Sequence, residues 1–193
     1  MTILPERFIR YKFFNSLFLG VSVGAIFTIY APLDPSIYSL GGIALALGML
    51  IVARFYHRIL NVQSFYHISL LVEVVLLMVM LVFLWHPYTY TTALLVYLGY
   101  QLTFVFGSYL VRAETLFLKQ DTILTRLDTA KQFGYLIGMG ISYLFYKILD
   151  RFSITDNQAK VYDLHYLLIG IEVVIIVLLI RSFSPEDPTK SRK

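Results

Sequence analysis

The chain has 193 residues, 58% of them apolar and 15% charged, with a formal net charge of +4 and no cysteine. Soluble domains carry roughly 45–50% apolar and about 25% charged residues, so the composition excludes an ordinary water-soluble domain. The missing cysteine excludes disulfides, thiolate nucleophiles and sulfur metal sites. The basic surplus fits loops beside anionic lipid headgroups and calls for no nucleic-acid partner.

Six apolar runs follow one another. The first, 13–30, is uncharged and comes after Arg7, Arg10 and Lys12. It mimics a signal peptide but lacks a small-x-small cleavage site, and is expected to remain as a span. Ala31, Pro32, Asp34 and Pro35 make a short turn before the second run, 36–53, which ends at Arg54. The third, 64–85, holds one acid, Glu73, and ends at Trp85 before His86-Pro87-Tyr88, a set suited to the membrane interface. The fourth, 91–111, is uncharged. Residues 112–131 are polar with helical spacing at Leu116, Ile123, Leu127 and Ala130, and either lie along the surface or extend the fourth run. In the fifth run, 132–149, only Phe133 to Tyr146 is free of charge, a length that also suits a re-entrant segment. The sixth, 164–180, holds Glu172. Residues 184–193 read as a polar, disordered tail. Each run approaches the roughly 20 residues a bilayer helix needs.

The expected fold class is therefore all-α: a polytopic helical bundle in residues 1–183 with six transmembrane spans. Charge sets its sidedness. Of 16 Lys and Arg residues, all but Lys147, Arg151 and Lys160 fall on one side of the six-span plan. Short basic loops stay in the cytoplasm, so both termini are expected there, in a bacterial inner membrane. Tyr66-His67 with Glu73-Val74-Val75 and His165-Tyr166 with Glu172-Val173-Val174 hint at a 3+3 inverted repeat. Chance likeness between apolar helices is the plainer account.

Polar groups in hydrocarbon mark candidate sites. On the fourth run Tyr97, Gln101, Ser108 and Arg112 share one face, flanked by Tyr100, and the first run offers Asn15 and Ser22. Such a stripe suits an anionic or zwitterionic solute; helix–helix hydrogen bonding is the alternative. Glu73 and Glu172 are the deepest carboxylates, candidates for proton coupling or simply for a bond to a neighbouring helix. Arg54, Arg58 and Glu114 are gating candidates, or headgroup anchors. Gly20-x-Ser22-x-Gly24 matches a nucleophile pattern but sits mid-span, away from any elbow or His base. Zinc and Walker motifs are missing, so neither enzyme chemistry, a metal nor a cofactor is expected.

The six-run plan, with Arg54 and Arg58 between runs two and three and a basic stretch leading into Gly134, Gly138 and Gly140, resembles one half of a major facilitator superfamily transporter. The match is partial. Ala53 stands where that family has an Asp, and Arg58 falls one residue late. The resemblance implies a half-size secondary carrier of a small solute that homodimerises, or pairs with another half transporter, to complete an alternating-access bundle. It also implies that runs one and four line the cavity, and that Gly42, Ala46, Gly134 and Gly138 lie at a dimer seam. The other expectation is a non-transporting subunit of a larger membrane complex.

Overall fold

A computed structural model describes residues 1–185, which form nine helices and a two-stranded ribbon. Strand β1 (Thr2–Ile3) leads into α1 (Pro5–Ser22), and after a break at Val23–Gly24 the chain continues as α2 (Ala25–Tyr30). Next come α3 (Pro35–Arg54), the single turn α4 (Tyr56–Ile59) and α5 (Val62–Trp85). Helices α6 (Tyr90–Val105) and α7 (Gly107–Leu118) are followed by α8 (Asp121–Arg151), α9 (Asn157–Arg181) and β2 (Phe183–Ser184). Among the described residues, four segments are long and apolar enough to cross a membrane: α3, α5, α6 with α7, and α9.

Local chemistry sets the boundaries. Pro5 and Pro35 open α1 and α3, where a missing N–H costs nothing. Asn61, Thr89 and Asp156 cap α5, α6 and α9 by accepting from the backbone N–H of Ser64, Thr92 and Ala159. The α6–α7 break at Phe106 has two causes. The Thr103 hydroxyl donates back to the Tyr100 carbonyl at 2.8 Å, and Gly107 adds little helix propensity. Lys119, at φ 42°, turns the chain from α7 into α8.

Several boundaries differ from those the sequence suggests. Helix α1 starts at Pro5, so Arg7, Arg10 and Lys12 are helical rather than loop residues. Residues 112–131 extend both neighbouring runs, ending α7 and starting α8. The fifth run is the second half of one continuous 31-residue helix, and neither it nor the first run is among the four segments long and apolar enough to cross a membrane. Ser184 pairs with Thr2 in the ribbon, and residues 186–193 of the expected tail lie outside the described residues.

The ribbon brings both ends of the described chain together. Thr2 lies opposite Ser184, Ile3 opposite Phe183, and Leu4 N–H donates to the Ser182 carbonyl at 2.8 Å. Phe8, Phe65 and Phe183 pack there with ring centroids 5.7 to 6.1 Å apart. At the other end the Tyr88 hydroxyl donates to the Gln158 carbonyl, and Lys160 pairs with Asp150.

Helix α1 packs on α8 and α9, α6 packs on α3 and α5, and α5 packs on α9. Exchanging α1, α3 and α5 with α6, α8 and α9 maps this set of neighbours onto itself. The closest approach is α1 to α8. A methyl added at Gly20, Gly134 or Gly138 would strike backbone atoms of the facing helix, so only glycine permits the spacing. Outward faces are apolar, with Leu40, Ile43, Leu47, Leu98, Phe133 and Leu136 all exposed.

Candidate functional site

The polar centre of the bundle is built on α1, α5 and α9. Tyr11 and Asn15 lie one helical turn apart on α1 and so share a face. Both donate to one oxygen of Glu73 on α5: the Tyr11 hydroxyl at 2.5 Å and Asn15 Nδ2 at 3.0 Å, each to Oε1. Glu172 on α9 sits within hydrogen-bonding reach of Glu73. Glu73 and Glu172 are 1% and 0% exposed, which removes them from bulk solvent. No N–H or O–H among the described residues reaches Glu73 Oε2 or either oxygen of Glu172.

The chemistry of that arrangement is specific. Buried acceptors without donors are costly, at about 1–3 kcal/mol each and more when charged. Two ionised carboxylates side by side in a medium of low dielectric repel strongly. A proton shared between Glu73 and Glu172 would supply a missing donor and relieve the repulsion. The two acids singled out in the sequence thus lie side by side at the buried centre, with three carboxyl oxygens lacking a donor among the described residues.

A second charged cluster lies nearer the ribbon end. Glu114 on α7, 3% exposed, is gripped by Lys12 of α1 and by Lys131 of α8, whose Nζ lies 2.6 Å from Oε2. This triad bolts α7 to α1 and α8. Arg54 and Arg58 take no part in it. They are exposed, and Arg58 lies over the Phe55 ring at 5.9 Å. The gating candidates therefore do not converge, and Glu114 finds its partners on other helices.

The expected polar stripe also divides. Tyr97 packs edge-on against Tyr30 and Tyr38, and its hydroxyl donates to the Tyr38 carbonyl at 3.3 Å. Gln101 points inward, with Oε1 buried and lacking a donor. Tyr100 stacks loosely on Phe104, with centroids 6.2 Å apart. Beyond the break at Phe106, Ser108 and Arg112 open onto an outer groove of about 620 Å³, and Arg112 sits over the Tyr56 ring. Ser22 turns its hydroxyl back to the Leu19 carbonyl of its own helix at 3.2 Å.

No family model, curated protein or solved structure matches the chain.

Of the glycine candidates, Gly134 and Gly138 face α1 of the same chain, the within-protomer arrangement. Gly42 and Ala46 lie exposed on α3. Three residues of the site, Tyr11, Lys12 and Lys131, were not among the sequence candidates. The four-residue spacing of Tyr11 and Asn15 was the available signal for the first. Only the fold places the two lysines beside Glu114.

Proposed function

We propose that the protein is a proton-coupled secondary carrier of a small solute, with Glu73 and Glu172 as the proton site. The buried carboxyl pair carries this reading. Acids inside a membrane bundle are costly and are retained where ions or protons move. The neighbour pattern that survives exchange of helix triplets supports a 3+3 inverted repeat, the plan of many carriers, with the coupling site where the repeats meet. Glu73 and Glu172 occupy matching places in the two triplets, on helices that pack against each other.

In this reading all six long helices span a bacterial inner membrane, and the ribbon end with its arginines faces the cytoplasm. The half-size resemblance adds that a second copy completes the carrier. The exposed face of α3 around Gly42 and Ala46 is the surface offered to it. The Glu114 triad, linking helices of the two triplets, is the closure on the ribbon side. The same unpartnered α3 face also supports the other reading, a non-transporting subunit held in a larger complex.

Reconstitution tests the proposal. Vesicles containing the protein and a pH-sensitive dye are expected to show solute-dependent proton movement that Glu73→Gln and Glu172→Gln each abolish. Proton flux unchanged in both variants refutes the proton site. Recovery of the protein only within a fixed heteromeric assembly, inert in vesicles, favours the subunit reading.

A further inference from the structure

The ribbon end of the bundle carries a depression that carrier chemistry leaves unused. Arg7 and Arg10 on the first turns of α1 and Arg181 at the end of α9 line it together with Leu178, around a volume of about 380 Å³. Arg7 and Arg10 are three residues apart and therefore neighbours on one helix face. Among the described residues no carboxylate lies within ion-pair distance of any of the three guanidiniums. Glu6, on the same turn, gives both oxygens to Arg126, at 2.6 and 2.7 Å.

The end of α9 accounts for part of this charge. Arg7 Nη1 donates to the Arg181 carbonyl at 3.3 Å, a cation at the negative end of a helix. That bond uses one of five N–H donors on Arg7 and none on the other two side chains. Three like charges around one hollow repel one another, and an anion with several acceptor oxygens relieves the repulsion. Forked guanidinium contacts match a phosphate oxyanion in shape as well as charge. Leu178 gives the hollow an apolar wall.

We propose that Arg7, Arg10 and Arg181 bind a phosphate group, either the phosphodiester of an anionic lipid headgroup or free inorganic phosphate. The site stands apart from the carboxyl pair, so it does not depend on the carrier reading.

Native mass spectrometry of the full chain in non-ionic detergent decides it, using phosphatidylglycerol, phosphatidylcholine and inorganic phosphate as separate probes. Preferential retention of phosphatidylglycerol over phosphatidylcholine identifies a lipid headgroup. Binding of inorganic phosphate without that preference identifies a soluble ligand. In either case binding should weaken by about fivefold for each arginine changed to Gln. Arg151→Gln, at the opposite end of the bundle, should leave it unchanged. If the triple Gln variant melts early, the triple Lys variant takes over: it keeps the charge, loses the fork and is expected to bind less tightly. Failure of the native chain to bind any probe overturns the site, as does undiminished binding in the variants.

Discussion

The α1–α8 contact yields the sharpest test of the fold. A methyl at Gly138 would meet the Leu17 carbonyl and the Val21 nitrogen, both backbone atoms that cannot rotate aside. The helices must part by roughly 1 Å to admit it, which forfeits a quarter to a half of the local dispersion attraction. Overpacking of this kind costs about 1–3 kcal/mol. Alanine also gains about 1 kcal/mol of helix propensity over glycine, which would blur the result taken alone. Gly140, two residues along the same helix, has no neighbour within 4 Å of its added methyl, so Gly140→Ala carries the same propensity gain with no clash. Gly138→Ala should therefore be less stable than Gly140→Ala by about 1–3 kcal/mol, read by circular dichroism during SDS titration in mixed micelles. Adding Gly134→Ala should cost less than its single effect, because parted helices already have room. Equal stability of Gly138→Ala and Gly140→Ala would refute the close approach.

Other perturbations address the polar clusters. Glu114→Gln leaves Lys12 and Lys131 close together with only the exposed Asp128, 3.4 Å from Lys131, as a remaining counter-charge, and is expected to cost about 3 kcal/mol in the same titration; a neutral effect would argue against the triad. Tyr11→Phe removes the shortest bond to Glu73 and should destabilise by about 1–3 kcal/mol, with Tyr11→His or Tyr11→Gln restoring part of it. For pH, Lys160 Nζ at 2.5 Å holds the exposed Asp150 carboxyl below the ordinary Asp range. The bond's contribution is full above that range and is lost as pH falls through the lowered value. Wild type should thus melt above Asp150→Asn at neutral pH and converge with it in acid, and parallel curves would contradict the pairing. Cross-linking in native membranes through single cysteines near Gly42 should trap a dimer if α3 is the copy-to-copy face; monomer alone counts against it.

Much of the helical order was legible because hydrocarbon runs and the breakers between them, such as Pro32, Asp34 and Pro87, are local signals. Glu73 and Glu172 were legible as outliers in apolar stretches. What was not legible depends on pairs distant in the chain. Lys12 reads as an interface anchor until α8 and α7 bring Lys131 and Glu114 beside it. The polar spacing from Tyr97 to Arg112 assumes one unbroken helix, and a side-chain bond from Thr103 with the flanking glycine undoes that register. Gly134 and Gly138 advertise a close helix neighbour without naming it, and the neighbour is α1.

The tight union of α1 with α8 and α9 has a consequence for biogenesis. A ribosome delivers α1 long before either of those partners exists. Until then Glu73 and Glu114 are present without Glu172 and Lys131, and the groove around Gly20 stays open. Assembly thus waits on the last third of the chain. Truncation anywhere before α8 should leave a nascent helix that quality-control proteases recognise, whereas losses within the α3 arm spare that closing step.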